Sequence, residues 1–344
     1  MFKNLSENYN KFRIVRRAQR HVRKHGATPP RMTMSFTRNS PFQSDVRLVR
    51  RRNGAFEIEY QFVRPDLMLD GIRRRISTPV HQFIYCSPQV TEMGVCIGDG
   101  AEDSINPFAF SSNRPHMVLI PDHYQFMLEG FAKHRATTDG NDKPWISRGS
   151  TLRWRGTDTG AGRTECDHDC AFDPSVKARL RLCFIARELP DCDIKLARSV
   201  RPNLEPKYTH HGIIGPIIEE QEWINDRYAL DIDGNTNTWS NMIARMHLGC
   251  CVLKVASQFG YRQWYYDRIQ PWEHFVPVKS DMSDLAEKLD WVRSNDEEAE
   301  RIAKNGQAFA RTLTMESCAV EGAQIIETHY LGKPTGYAQE YLVK

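Results

Sequence analysis

Apolar and polar side chains alternate from Tyr228 to Ile232, the pattern breaks at Asp233-Gly234-Asn235, and a continuous apolar run follows from Cys250 to Val255. The alternation predicts a half-buried strand, the break is turn chemistry, and the later run predicts a second strand. Between them Thr236, Thr238 and Ser240 are candidate N-caps, Asn241 to Leu248 can form a helix, and Gly249 is placed to end it. The sum is a strand-helix-strand unit. In an open α/β sheet the N-terminus of such a helix lies at the carboxyl edge of the strands, where free N–H groups suit a phosphate or diphosphate. Similar units also occur in proteins that bind no nucleotide.

Elsewhere, Asp45 to Val63 reads as a β-hairpin, because two alternating stretches flank Arg52-Asn53-Gly54 and Asn-Gly supplies positive φ values. An apolar strand is expected near Gln82 to Tyr85, and a Gly-rich acidic loop from Gly94 to Asp103. His116 to Pro121 is a short apolar run of the kind buried on both faces, and Asp122 stands directly after it. A carboxylate there is either chemistry at a strand end or the N-cap of a helix from Tyr124 to Lys133; one side chain can do both. Thr137 to Pro144 is polar and turn-rich and is the expected linker. Beyond it, Thr151 to Arg163 reads as a strand ending in a Gly-rich loop with Arg153, Arg155 and Arg163, a candidate diphosphate cradle or a plain surface turn. The aromatics of Trp264 to Pro277 suit a sugar-binding wall or ordinary core packing. Helices are expected from Ser283 to about Ser294, from Asp296 to about Leu313, and from Glu316 to Tyr330.

A chain of 344 residues is long enough for two α/β domains. The first 26 residues lack a secretory leader's apolar stretch, and nine scattered cysteines suit reduced thiols, which together point to the cytoplasm. The net charge of +4 hides an asymmetry: residues 1 to 52 hold fourteen Lys or Arg against two acids, a net +12, leaving −8 for the rest. A basic arm over residues 1–40, with Phe2, Leu5, Tyr9, Phe12, Ile14 and Val15 among its charges, fits attraction to an anionic membrane surface or a basic helix packed on the body. Nucleic acid is disfavoured, because the acidic body offers no matching basic, aromatic-studded surface. Metal is disfavoured too: Cys166-Asp167-His168-Asp169-Cys170 has no second ligand pair, and Asp231-Ile232-Asp233 leads into a site that can neutralise a diphosphate unaided.

The ordered set IPDHY around Asp122, PW and WRGTDTG from Pro144 to Gly160, RLRLC from Arg179, LDIDGN, LGCCVLK and the long stretch from Trp264 to Ala310 resembles the family 90 glycosyltransferases. That family includes bacterial lipopolysaccharide-modifying enzymes, fungal capsule-associated proteins and animal protein O-glucosyltransferases. The resemblance implies a GT-B-like α/β fold of two Rossmann-type domains with a donor cleft between them. It implies an acceptor-side domain over 41–140, a nucleotide-sugar domain over 141–315, and a tail, 316–344, returning to the first. The implied reaction is inverting transfer of a sugar, glucose or xylose, from a UDP-sugar to a glycan hydroxyl such as that of lipopolysaccharide or capsule, without cofactor or metal. A protein acceptor, or a non-catalytic sugar-binding relative, is the alternative. By the same resemblance Asp122 is the base, and Arg155, Gly156, Thr157 and Arg163 are the donor loop. Gly234, Asn235, Thr238, Trp239 and Ser240 would surround the diphosphate. The family usually has an aromatic-Arg pair just after a Ser there, whereas this chain reads Thr238-Trp239-Ser240-Asn241, and Arg245 is the expected substitute for the missing charge.

Overall fold

The computed structural model describes residues 2–37, 45–61, 74–100, 104–141, 143–164 and 168–339. The chain divides into two compact α/β units, Met1–Gly130 with Thr314–Lys344, and Phe131–Leu313.

The first unit opens with helix α1 (Phe2–Lys24), in which neither Pro nor Gly interrupts 23 residues. Ile14, Ala18 and Val22 recur every fourth residue and are buried at 1% exposure or less, so one stripe of α1 is core while the basic side chains cover the remainder. Gly26 ends it at φ +79, with its N–H donating to the Arg23 carbonyl, and Arg23 and Lys24 in the last turn complement the dipole. The expected arm is therefore a docked helix. Tyr9 and Phe12 remain outside it, at 60% and 58% exposure. The side chains of Phe2 and Leu5 lie outside the described residues.

A six-stranded mixed sheet follows, built from β1 (Met32–Thr37), β2 (Asp45–Arg50), β3 (Phe56–Gln61), β4 (Glu92–Cys96), β5 (Phe108–Ala109) and β6 (Val118–Leu119), in the order β1-β3-β2-β4-β5-β6. β2 and β3 form the expected antiparallel hairpin, Arg50 opposite Phe56, turning at Gly54 with φ +75. The strand expected near Gln82 is instead the end of helix α2 (Ser77–Tyr85), whose every residue is buried, so that Ser77, Thr78, His81 and Gln82 do not mark a solvent face. Gly94 to Cys96, expected in a loop, pair in β4, while residues 101–103 lie outside the described residues. After β6, Asp122 caps the short α3 (His123–Met127).

The second unit starts with α4 (Ala132–Gly140), which occupies half of the expected linker; Arg311 donates to Thr138 Oγ1 at 2.9 Å and to Asp139 at 2.7 Å and so fixes its last turn. Strands β7 (Gly149–Thr157), β8 (Cys192–Arg198), β9 (Asp226–Asp231), β10 (Cys251–Val255) and β11 (Val276–Val278) form one sheet in the order β11-β10-β9-β7-β8, and every neighbouring pair is parallel. Between them run α5 (Ala178–Arg187) and α6 (Asn241–His247), and after them α7 (Leu285–Ser294) and α8 (Asp296–Thr312). β9 lies at the centre and is buried on both faces, from Tyr228 at 1% to Asp231 at 0%, rather than half-buried as its alternation suggests. Trp264 to Pro277 divides between core and surface: Tyr265 is 1% exposed and packs on Tyr266 and Phe309, whereas Trp272 is 38% exposed.

The chain then rejoins the first unit through α9 (Met315–Leu331), which opens with a capping box between Thr314 and Ser317. Its buried Glu327 accepts the Ser87 N–H at 2.7 Å. No helix among the described residues is long and apolar enough to cross a membrane.

If α1 is core and not a loose arm, Ile14→Ala should destabilise the protein by about 2–5 kcal/mol, while Tyr9→Ala should stay within about 0.5 kcal/mol of the parent. Urea denaturation of both variants checks this. Equal midpoints would show that α1 is not docked.

Candidate functional site: the switch point of the parallel sheet

Numbered within the second unit, the strands run 2-1-3-4-5 across the sheet, so the connections leave in opposite directions from β7 and β9. Loops that diverge in this way open a crevice at the carboxyl ends of those two strands, the position at which open α/β sheets bind ligands. Here the crevice is bordered by the loop after Thr157 and by the turn after Asp231.

One side chain joins the two borders. Arg179, near the start of α5, donates Nε to Asp233 O at 2.9 Å and Nη2 to Ile232 O at 3.1 Å on one side, and Nη1 to Thr157 O at 3.2 Å and Thr159 Oγ1 at 2.9 Å on the other. Its guanidinium also lies over Trp154, 5.4 Å from the ring centroid, and burial pushes its pKa down to about 10, so it stays charged at neutral pH. A second bond, from Gly160 N to Asn235 Oδ1 at 3.1 Å, closes the loops further out. The approach is tight enough to require glycine. A Cβ on Gly234 would come within 2.9 Å of Thr159 Oγ1 and 3.0 Å of Arg179 Nη2, and Gly160 holds φ +119 with its Cβ position 3.2 Å from Gly234 O.

The turn after β9 carries buried polar groups without protein partners. Thr236, Asn237 and Thr238 are 5%, 1% and 8% exposed, and the buried Thr236 Oγ1, Asn237 Nδ2 and Thr238 Oγ1 find no hydrogen bond. Each such group costs about 1–3 kcal/mol when left unmade, so all three could accept a bond from, or donate one to, a polar group placed at the switch point. Trp239 adds strain. It holds φ +54, unusual for a bulky residue, with its N–H donated to Asn237 Oδ1 at 2.6 Å and its carbonyl accepting from Gln263.

Beneath the turn, Lys254 of β10 meets Asp231 Oδ2 at 2.9 Å and Asp233 Oδ1 at 3.4 Å, with Tyr266 alongside at 5.4 Å. Burial works against the ammonium, but Asp231, Tyr266 and Asp233 outweigh it and hold Lys254 protonated. Asp231 also accepts Asn241 Nδ2 at 2.7 Å, so the Asp-x-Asp pair is engaged from within. On the other border, buried Asp158 accepts Ser199 Oγ at 2.7 Å, Tyr208 Oη at 2.8 Å and Val200 N at 2.7 Å. Burial alone would raise its pKa, but those bonds hold it below the usual carboxylate range.

The expected site residues divide. Thr157, Gly234, Asn235 and Thr238 lie at the crevice. Gly156 belongs to β7, where a Cβ would run into the Trp154 ring at 2.4 Å. Arg155 donates to Pro216 O, Trp154 O, Asp193 O and both Asp193 carboxylate oxygens, all within 2.7 to 2.9 Å, and ties β7 to β8. Arg153 pairs with Asp226 at 2.9 Å, and Arg163 with Asp173 at 2.7 Å. Arg245, the expected substitute for the missing charge, is engaged by protein groups. It sits in the last turn of α6, ion-paired to Glu220 at 2.8 Å and stacked 3.8 Å over Trp223. Ser240 occupies the N-cap of α6 without a side-chain cap bond, and seven residues give that helix only a weak dipole. Asp122, in the first unit, is 4% exposed, and its Oδ1 accepts Tyr124 N at 2.8 Å and Gln125 N at 3.3 Å. Sequence reasoning passed over Arg179 and Lys254, although both lie inside the RLRLC and LGCCVLK motifs. Cys166 and Asp167 are outside the described residues, and among the described residues no cluster of His, Cys, Asp or Glu could hold a metal ion.

The profile of glycosyl transferase family 90 matches residues 134–321, more than half of the chain and nearly all of the second unit. The chain belongs to that family. Among curated relatives, uncharacterized protein 179R of Invertebrate iridescent virus 6 is 29% identical over 198 residues, 52% of this chain and 16% of that protein. Protein O-glucosyltransferase 2 of Danio rerio is 31% identical over 132 residues, 36% of this chain and 26% of that protein. Protein O-glucosyltransferase 3 of Rattus norvegicus is 42% identical over 88 residues, 25% of this chain and 16% of that protein. The chain thus spans only a small part of these relatives' length. Among solved structures, Anabaena Alr3699/HepE in complex with UDP-glucose is 13% identical, with a TM-score of 0.34 over 59% of this chain and 52% of that one.

Because its guanidinium is engaged by protein partners on every side, Arg155 is expected to act through the fold. Arg155→Gln should cost about 1–3 kcal/mol, as expected when a part-buried set of charge-assisted hydrogen bonds loses its donor. Thermal unfolding with and without UDP checks this: an unchanged melting temperature with UDP binding abolished would return Arg155 to the ligand.

Proposed function

We propose that this chain transfers a sugar, glucose or xylose, from a UDP-sugar to a glycan hydroxyl, lipopolysaccharide and capsule being the acceptor type considered, with inversion at the anomeric carbon. The observation that carries the reading is the switch-point crevice, with its two glycine loops joined by Arg179 and its buried, unpartnered Thr236, Asn237 and Thr238. The diphosphate would be held by those three side chains and by loop N–H groups, with Arg179 supplying positive charge as UDP departs. The acceptor oxygen forms its bond to the anomeric carbon, the bond to UDP breaks with its electron pair on the phosphate oxygen, and the hydroxyl proton goes to Asp122. General-base help of this kind contributes about 10²–10⁴-fold.

Protein O-glycosylation is the second reading, favoured by the 42% identity to rat protein O-glucosyltransferase 3 over 88 residues. Turnover with glycan and polypeptide acceptors presented side by side decides between them.

Asn caps a helix as well as Asp does, so Asp122→Asn separates chemistry from fold. The variant should lose at least about 10²-fold in kcat while binding UDP as the parent does. Transfer at the parental rate would remove Asp122 from the mechanism.

Metal independence is also proposed, because Lys254 already neutralises the carboxylates of Asp231 and Asp233. Turnover should survive excess EDTA; loss of activity restored by Mn²⁺ or Mg²⁺ would show that a cation replaces Lys254 as their partner.

A further inference from the structure

A second polar site lies in the first unit. Helix α1, the start of α2 and the end of α3 enclose an open cavity of about 690 Å³ lined by Arg17, Arg20, Arg23, Lys24 and Arg74. Lys24 is ion-paired with Glu129, the one carboxylate among the described lining residues. Among the described residues, Arg20, Arg23 and Arg74 pair with no carboxylate. Cations gathered around one cavity repel one another, and the effect reaches His21: burial, then His25, Arg17 and Lys24, push its pKa down to about 4, so the ring is neutral.

The cavity floor supplies hydrogen-bonding groups. Ser77, 5% exposed, and Thr78, 1% exposed, both line it, and the buried Ser77 Oγ and His21 Nε2 have no hydrogen-bond partner. Guanidinium forks with hydroxyls beneath them match phosphate oxygens, which accept bidentate, charge-assisted bonds. A volume of about 690 Å³ is that of a pocket for a sizeable ligand and far exceeds a lone phosphate.

We propose that the cavity between α1, α2 and α3 is a binding site for a phosphate group carried on a larger molecule, held by Arg20, Arg23 and Arg74 with the Ser77 hydroxyl beneath. Two carriers share this chemistry, a membrane lipid headgroup and a soluble phosphorylated saccharide. The site is separate from the switch-point crevice and does not depend on the activity proposed for it.

Calorimetry on the full chain, with UDP kept saturating so that the crevice is occupied, tests the site with inorganic pyrophosphate as the probe. The comparison is the double variant Arg20→Gln/Arg74→Gln, whose exposed side chains leave the core and the UDP affinity unchanged. The parent should bind pyrophosphate, and the variant at least about tenfold more weakly, as expected for lost charge-assisted bonds. No binding by the parent, or equal binding by both proteins, would overturn the proposal. Co-sedimentation then assigns the carrier: retention on vesicles containing phosphatidic acid, but not on phosphatidylserine vesicles of matched charge, identifies a lipid phosphomonoester. Pyrophosphate binding without that preference identifies a soluble ligand.

Discussion

The guanidinium of Arg179 is the constraint on which the second unit's chemistry depends. Strands β7 and β9 are parallel neighbours whose connections diverge, so nothing in the sheet ladder holds their outgoing loops together beyond Thr157 and Asp231. Arg179 closes that gap with bonds to both loops, and the two glycines that let it fit, Gly160 and Gly234, have no room for a side chain. With the borders fixed, Thr236, Asn237 and Thr238 can remain buried without protein partners at a cost of about 1–3 kcal/mol each. Lys254 supports the same turn from below by tying Asp231 to Asp233. The crevice is thus preorganised by charged groups whose hydrogen bonds to the protein are already made.

The remaining arginines show why charge alone is a poor guide to a phosphate site. Arg155 and Arg245 carry the same guanidinium as Arg179, yet one ties β7 to β8 through Asp193 and the other ties α6 to Glu220 and Trp223. In the first unit the reverse holds. Arg20, Arg23 and Arg74 have no such partners among the described residues, and the basic arm is the packed helix, one of the two readings its sequence allows, docked by Ile14, Ala18 and Val22 with charges turned toward a cavity.

Much of the second unit was legible because its signals are local. Asp233-Gly234-Asn235 stops β9, Gly249 at φ +75 ends α6, and Asn53-Gly54 turns the first unit's hairpin; each acts within a few residues of itself. What was misread depends on distant partners. The helix Ser77–Tyr85 is buried on every side, its polar residues included, and the polar run from Thr137 is held helical by Arg311, more than 170 positions away. Arg155 looks like a free cation until Asp193, 38 positions on, is placed beside it. The family motifs did carry Arg179 and Lys254, but their roles follow only from the sheet order.

Hydrogen-deuterium exchange of the full chain with and without UDP tests the central claim most directly, because it reports both borders of the crevice at once. UDP should slow exchange in residues 157–162 and 233–240 together, with little change across β8 or around Arg245. Protection confined to other segments, or no protection at saturating UDP, would contradict the assignment of the switch point as the donor site.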